Sequence, residues 1–173
     1  MKHSIQEIRD EYNRLDRICH VDTSGIAIKI SKRAISRYGT CHLTKNAKGK
    51  YAPECITIAD FILTCDEAFW DVIRHEYAHA VASLRDGKNH GHDAVWKSVC
   101  IEVGCNPERL LFDHEAKTIH QSRRKAMEKY RIECRDCGRI WKYTRAGTVV
   151  KRLRNSRECT CPCGSSNLLL IEL

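Results

Sequence analysis

The segment IRHEYAHAVA, residues 73–82, places two histidines four residues apart, with a glutamate directly after the first. It lies within a run from Asp66 to about Asp86 whose apolar residues recur every three or four positions, which predicts an amphipathic helix. We predict that Thr64 and Glu67 form the capping box that opens this helix. Because residues i and i+4 share one helix face, His75 and His79 can both reach a single ion.

This spacing is typical of zinc hydrolases. Two neutral imidazoles hold Zn²⁺, and Glu76 is placed to take a proton from a water at the metal. The alternative is an ordinary helix that carries two solvated histidines, but the strong periodicity favours a site. A catalytic zinc needs a third protein ligand, and the downstream segment NHGHDAVW offers both His90 and His92. The residues alone leave that choice open.

The same stretch resembles the SprT-like, or Spartan-type, zinc metalloprotease family. The resemblance rests on HEYAH, on a histidine after twelve intervening residues, and on Trp96 four residues further. In that family the third ligand opens a His-Gly-x-x-Trp/Phe segment, so the register from Trp96 implies His92, with His90 as the alternative. Asp93 stands where the family usually has glycine. Trp96 is expected to be a core residue.

The resemblance implies an α+β fold: a zincin-like metalloprotease domain with a short three-stranded sheet and an HExxH helix, followed by a small C-terminal β zinc ribbon. The hydrophobic pattern independently predicts an N-terminal helix with its apolar face at Ile5, Ile8, Tyr12, Leu15 and Cys19. It predicts strands at GIAIKI, TCHLT and ECITIADFIL, and a short helix SKRAISRYG with Gly39 as its C-cap. A further helix, DAVWKSVCIEVG, should stop at Gly104.

The chain has eleven cysteines, and their distribution is uneven. The first twenty residues lack the apolar block of a secretory signal, so we expect a cytoplasmic protein with reduced thiols. Isolated cysteines among apolar neighbours are expected to be small core residues; they are Cys19, Cys41, Cys55, Cys65, Cys100 and Cys105. The other five lie between residues 134 and 163, where metal binding is the favoured explanation.

A structural zinc site is predicted in this C-terminal segment. Cys134 and Cys137 form a Cys-x-x-Cys-Gly knuckle, and Cys163, followed by glycine, supplies a third thiolate. Cys161 is the preferred fourth ligand and Cys159 the alternative. A unit this small needs metal to fold. The residues between the two cysteine groups alternate around Gly147, which predicts a β-hairpin. The rival explanation, a redox pair, lacks the βαβ pattern it requires.

The net charge of +8 belongs to the C-terminal third of the chain. Residues 1–120 carry 17 Lys and Arg against 17 Asp and Glu, whereas residues 121–173 carry 13 against 5. We therefore predict two domains, a protease domain (1–120) and a basic nucleic-acid-binding zinc ribbon (121–173). Basic side chains can bind the phosphate backbone, and neighbouring aromatic side chains can stack on exposed bases. This combination suits single-stranded or distorted DNA. The predicted contacts are Arg139, Trp141, Lys142, Tyr143, Arg145, Lys151, Arg152 and Arg154.

These observations lead to one main functional hypothesis: a zinc-dependent endopeptidase, with one catalytic and one structural zinc, that acts on proteins bound or crosslinked to DNA. The DNA-repair context follows from the resemblance. Two alternatives remain open. One is a regulatory ImmA/IrrE-like metalloprotease that cleaves a repressor, for which the third ligand is typically acidic. The other is an inactive, zinc-stabilised DNA-binding module. We expect a monomer associated with DNA and no membrane partner. Tyr77 is considered for oxyanion stabilisation, with core packing as the simpler role.

Overall fold

A computed structural model of the chain describes residues 2–34, 37–108 and 114–173. The chain divides into two compact units, Met1–His120 and Gln121–Leu173. The division falls at the position where the composition changes from charge-balanced to basic. The architecture is mixed α+β, with a three-stranded sheet in each unit. Within the described ranges, no helix is both long enough and apolar enough to cross a membrane.

The first unit begins with the predicted N-terminal helix, α1 (Ile5–Cys19). Its first turn is stabilised by a capping box: the Ser4 side chain accepts from the Glu7 backbone N–H, and the Glu7 carboxylate accepts from the Ser4 N–H. Ile8, Tyr12, Leu15 and Cys19 are buried in the core, as the spacing predicted, whereas Ile5, in the first turn, is exposed. Tyr12, fully buried, donates its hydroxyl proton to the Ile73 carbonyl oxygen at 2.9 Å.

Three strands follow, β1 (Ala27–Ser31), β2 (Gly39–Lys45) and β3 (Tyr51–Ala59), as expected from the sequence. The third predicted strand extended to Leu63, but β3 ends at Ala59 and a 3-10 helix follows. The sheet order is β1-β3-β2, with β1 parallel and β2 antiparallel to the central β3. A register shift between His42 and Leu43 interrupts the β2–β3 ladder. The alternating apolar residues of β3 face the core, and the edge strand β2 packs against the helix described next.

The HEYAH segment lies in α2 (Asp66–Asp86), the longest helix, which ends at Gly87 in the left-handed conformation. Helix α3 (Ala94–Val103) follows and ends at Gly104, as predicted. Asp93 is the N-cap of α3, and its Oδ1 accepts from the Trp96 backbone N–H at 3.0 Å. The helices α2 and α3 pack against each other, and α2 also packs on β2 and β3. Helix α4 (His114–Ala126) begins in the first unit and ends in the second.

Several predictions of local structure in this unit are wrong. Thr64 does not cap α2: it lies in a 3-10 helix, Asp60–Thr64, its hydroxyl donates to the Phe61 carbonyl oxygen, and the N-cap residue is Cys65. Tertiary packing of Phe61, Ile62 and Leu63 into the core accounts for this extra turn before the helix. Gly39 is not a helix C-cap either, because it begins β2. The predicted short helix before it is also wrong in its described part: Ser31 belongs to β1, and residues 32–34 and 37–38 are not helical. Residues 35–36 lie outside the described ranges.

The second unit contains β4 (Tyr130–Cys134), β5 (Ile140–Tyr143), α5 (Thr148–Arg154) and β6 (Leu168–Glu172). The strands form an antiparallel sheet in the order β5-β4-β6. The hairpin predicted around Gly147 is wrong: Gly147 is the N-cap of α5. The helix buries Val150, while Leu153, three residues on, is partly buried, and the cations between them are exposed. That three-residue apolar period fits a helix better than a strand.

The isolated cysteines mostly confirm the prediction of small core residues. Cys41 is the exception, since it is only partly buried. The buried ones are Cys19, Cys55, Cys65, Cys100 and Cys105. Burial raises the pKa of the Cys19 thiol to about 11 and that of Cys41 to about 12, so both are thiols at neutral pH.

Candidate active site and metal centres

Three imidazoles converge in the first unit. His75 and His79 lie on one face of α2, and His92 lies in the loop that leads into α3. The Nε2 atoms of His75 and His92 are 3.2 Å apart. One nitrogen from each of the three rings lies within 4.8 Å of the others. The helix supplies two of these nitrogens by its own periodicity, and the packing of α3 against α2 supplies the third.

The donor set fits a zinc ion. Two nitrogens bound to one tetrahedral zinc at about 2.0–2.1 Å lie about 3.3 Å apart, close to the separation of the His75 and His92 nitrogens. Burial, together with the neighbouring histidines, lowers the pKa of His75 to about 3 and that of His79 to about 4. Both rings are therefore neutral at physiological pH, the form in which imidazole binds a metal.

Two contacts fix the orientation of these rings. The fully buried Trp96 indole packs against all three, with ring centroids 4.7 Å from His75, 5.1 Å from His79 and 4.5 Å from His92. The Nδ1 of His79 lies 3.2 Å from the His90 carbonyl oxygen. Since a carbonyl only accepts, this bond places the proton of His79 on Nδ1 and leaves Nε2 free to bind a metal. Trp96 thus belongs to the core, as predicted, and also forms one wall of the site.

Glu76, next to the first histidine, is 6% exposed. Burial raises the pKa of its carboxyl group to about 8, and a hydrogen bond from the Cys41 backbone N–H opposes that rise. A divalent cation nearby would favour the charged carboxylate. The carboxylate is held between α2 and the start of the edge strand β2, in contact with backbone instead of solvent.

Gly39 makes this position possible, and the sequence analysis missed it. A Cβ built on Gly39 would lie 2.6 Å from Cγ and 2.7 Å from Oε1 of Glu76, closer than real Cβ contacts allow. Only a residue without a side chain fits at the start of β2 beside that carboxylate. The available signal was an isolated glycine at the start of an apolar strand pattern, which often marks a close backbone approach.

Replacing Gly39 with alanine is therefore expected to displace the Glu76 carboxylate. A misplacement of about 1 Å in a reacting group can cost about 100-fold in rate, so we expect kcat to fall by about that factor. The zinc content should not change, because the three atoms nearest a Cβ at Gly39 all belong to Glu76 and none to the histidines. Turnover and bound zinc, measured on the same preparations, test this.

Gly25→Ala is the matched control, because a Cβ at Gly25 meets no atom within 4 Å and its φ is not positive. It should keep the wild-type kcat. Equal activity of both variants would show that the Glu76 carboxylate does not depend on the space at Gly39.

Tyr77 and His90, the two other residues considered for this site, make hydrogen bonds elsewhere in the fold. The Tyr77 hydroxyl donates to Asp16 Oδ1 on α1 at 2.8 Å, and the ring is fully buried. Tyr77 is therefore a core residue, the simpler of the two roles considered. His90 is not a member of the three-histidine group; its ring nitrogens lie near Asp86 and Asp93 instead.

The second unit brings four thiols together: Cys134, Cys137, Cys161 and Cys163, with all four sulfurs within 4.8 Å of one another. The Cys134 and Cys163 sulfurs are 3.7 Å apart, and those of Cys137 and Cys161 are 3.6 Å apart. Four sulfurs around one tetrahedral zinc at about 2.3 Å would be about 3.8 Å apart. Cys161, the preferred fourth ligand, belongs to this group of sulfurs. Among the described residues, the alternative ligand Cys159 lies outside the group.

The backbone around these thiols is shaped for metal binding. Gly138 and Gly164 follow the two knuckles with φ of +70° and +91°, a conformation that favours glycine. The N–H groups of Cys137 and Asp136 lower the pKa of the Cys134 thiol to about 6. The Cys163 N–H, 3.5 Å from the Cys161 sulfur, acts in the same direction on Cys161, but burial and the neighbouring thiols outweigh it and raise the pKa of Cys161 to about 12. Backbone donors aimed at sulfur stabilise thiolates, the form that binds zinc.

The predicted nucleic-acid contacts lie on β5, on α5 and in the loop between them, except for Arg139, which directly precedes β5. Trp141 and Tyr143 are half-buried on β5, and Lys142 forms an ion pair with Glu128 at 3.1 Å. On α5, Arg154 pairs with Glu172 at 2.7 Å, and an Arg152 nitrogen donates to the Glu158 carbonyl oxygen. Arg139, Arg145 and Lys151 are exposed.

A comparison with protein-family models identifies the family of the chain. The model of the SprT-like family matches residues 2–122, which include α1, the first sheet, α2, α3 and all three histidines. No curated protein matches the chain. The family match confirms the resemblance predicted from HEYAH, His92 and Trp96.

Proposed function

Because this chain belongs to the SprT-like family, we propose that it is a zinc-dependent endopeptidase with a zincin-like protease domain that cleaves proteins bound or crosslinked to DNA. The family itself suggests a metalloprotease-type function. The observation that supports the proposal most strongly is the convergence of His75, His79 and His92, with the buried Glu76 next to the first of them. A helix with incidental histidines would not bring in a third from another segment.

The three imidazoles would hold the catalytic zinc, which when bound supplies Lewis-acid activation of a water and of the scissile carbonyl. Glu76 provides the base: its carboxylate accepts a proton from the attacking water and later gives it to the leaving amine nitrogen. The Cys41 N–H donates a hydrogen bond to that carboxylate, and the missing side chain at Gly39 leaves the space that the carboxylate occupies. Trp96 excludes water from one side of the histidine cluster.

The second unit would hold a structural zinc through Cys134, Cys137, Cys161 and Cys163 and would bind DNA through its basic surface. The support is the charge: 13 Lys and Arg against 5 Asp and Glu in residues 121–173. Because several of these cations pair with acidic groups of the same unit, the exposed Arg139, Arg145 and Lys151 are the best-placed to meet phosphates. Half-buried Trp141 and Tyr143 offer rings for stacking on unpaired bases.

Cleavage of a DNA-binding protein by the full chain should therefore increase when single-stranded DNA is added. We expect the Arg145→Gln/Lys151→Gln double variant to bind single-stranded DNA more weakly and with a salt dependence, d log K/d log[salt], shallower by about 1.4, the value for losing two phosphate contacts. Its DNA-stimulated cleavage should fall in parallel. Fluorescence anisotropy across a salt series and a gel-based cleavage assay measure the two effects.

The control is Lys29→Gln/Lys48→Gln, which removes two exposed lysines of the first unit and changes the net charge equally. It should keep the wild-type salt dependence. Cleavage that ignores DNA in all three proteins would favour the regulatory metalloprotease that acts on a repressor. DNA binding without any cleavage would favour the inactive binding module.

A further inference from the structure

His90 is a buried polar residue, 7% exposed, in the loop between α2 and α3 (residues 87–93, hereafter the α2–α3 loop). Each of its ring nitrogens faces a carboxylate. Nδ1 lies 2.8 Å from Asp93 Oδ2, and Nε2 lies 3.0 Å from Asp86 Oδ1. A ring placed between two acceptors in this way can donate an N–H to each of them.

The two carboxylates belong to the two ends of the loop. Asp86 is the last residue of α2, and Asp93 is the N-cap of α3. Asp93 uses its two oxygens separately, since Oδ1 accepts from the Trp96 N–H while Oδ2 faces His90. The His90 side chain therefore connects the end of one helix to the start of the next by hydrogen bonds, and so fixes the path of the loop.

The backbone of the same residue reaches the metal centre. The His90 carbonyl oxygen accepts from His79 Nδ1, and the third ligand, His92, is only two residues further. The position of one ligand and the tautomer of another thus depend on where the α2–α3 loop holds residue 90. Loss of an outer partner of a metal-binding histidine typically costs about 10–100-fold in metal affinity.

We propose that His90 is a positioning residue for the catalytic metal. Its side chain holds the α2–α3 loop in a conformation in which the His90 carbonyl orients His79 and the His92 ring faces His75. The proposal rests on the proposed function only in assuming that these three histidines hold the metal. His90, the alternative third ligand in the sequence, thus acts indirectly, by positioning the histidines that bind the metal. The proposal also gives Asp93, which replaces the glycine usual in the family, a role as partner of His90.

The structure offers a matched control elsewhere. His3 is also largely buried between two carboxylates, with Nδ1 3.2 Å from Glu7 and Nε2 2.9 Å from Asp66. Its ring stacks on Phe69, far in sequence from the α2–α3 loop, and it touches none of the three histidines among the contacts described. His90→Phe and His3→Phe remove equivalent hydrogen bonds, one pair beside the metal centre and one away from it.

For the test, the full chain is first loaded with one equivalent of zinc, which we expect to bind to the four thiolates. The loaded chain is then titrated with Co²⁺. Cobalt bound by three imidazoles gives visible d–d absorption that reports both affinity and geometry. We expect His90→Phe to weaken Co²⁺ binding about 10–100-fold and to change the d–d spectrum, and His3→Phe to change neither. Asp86→Ala, compared with Asp66→Ala, should show the same contrast more weakly and serves if His90→Phe does not fold.

Equal Co²⁺ affinity and equal spectra for the His90 and His3 variants would overturn the proposal while leaving the proposed function intact. Failure of the wild-type chain to bind Co²⁺ at this site would overturn the proposed function, and the role of His90 with it. Because the readout is metal binding, neither outcome depends on finding the natural substrate.

Discussion

Replacing Glu76 with glutamine is expected to lower the rate of peptide cleavage by about 10²–10⁴-fold, the usual contribution of a general base. Glutamine has nearly the same shape, and its amide oxygen can still accept from the Cys41 N–H. The amide cannot take up the proton of an attacking water. The variant should therefore keep the wild-type zinc content, since Glu76 is not one of the three imidazole ligands. Turnover of a cleavable protein and zinc content measured together test this.

The matched control is Glu67→Gln, which removes the same charge from an exposed position at the start of the same helix. It should cleave at nearly the wild-type rate. If Glu76→Gln cleaves as fast as Glu67→Gln, a group other than Glu76 acts as the base. If both variants and the wild type fail to cleave while retaining zinc, the chain is not a peptidase.

Replacing Cys161 with serine is expected to unfold the second unit. Structural zinc contributes about 10–16 kcal/mol of binding free energy at pH 7 in small zinc modules, and that free energy is what holds such units folded. In residues 121–173 the fully buried side chains are few; they include Ile132, Cys134 and Val150. We expect the variant to lose one zinc, to become sensitive to limited proteolysis after about residue 121, and to lose DNA binding.

Cys159→Ser is the matched control, two residues away and outside the four-sulfur group. It should keep both zinc ions and resist proteolysis like the wild type. The contrary result, zinc loss in Cys159→Ser with retention in Cys161→Ser, would show that the ligand set includes Cys159 instead. The first unit should keep its own metal in either variant, because its three histidine ligands are in a separate compact unit.

Features that depend on local periodicity could be predicted from the sequence. The stripes of α1 and α2 and the terminal glycine of α3 follow from residues close in the chain. All three appear as predicted, except that Ile5 and Leu84, near helix ends, are exposed. The errors occurred where tertiary packing decides. Thr64 had the residues of a capping box, yet burial of the preceding apolar residues placed it in a 3-10 turn. Gly147 matched a turn, but the apolar spacing after it favoured α5.

The site follows the same division. His75 and His79 share a helix face by spacing alone. The choice between His90 and His92 as third ligand depends on how the loop folds back, and the sequence could decide it only through the family resemblance. The contact between Gly39 and Glu76 joins residues 37 positions apart. No local pattern reports such a contact, so the role of Gly39 needed the structure.

The proposed function requires two zinc ions, a catalytic one at the three histidines and a structural one at the four cysteines. The most direct test is cleavage of a DNA-binding protein by the metal-free full chain, with single-stranded DNA present, as zinc is added in steps. We predict no cleavage at one equivalent, which fills the thiolate site, full cleavage at two, and none at any level for Glu76→Gln. Cleavage that is complete at one equivalent, or absent at two although DNA is still bound, would show that the three histidines do not hold a separate catalytic zinc.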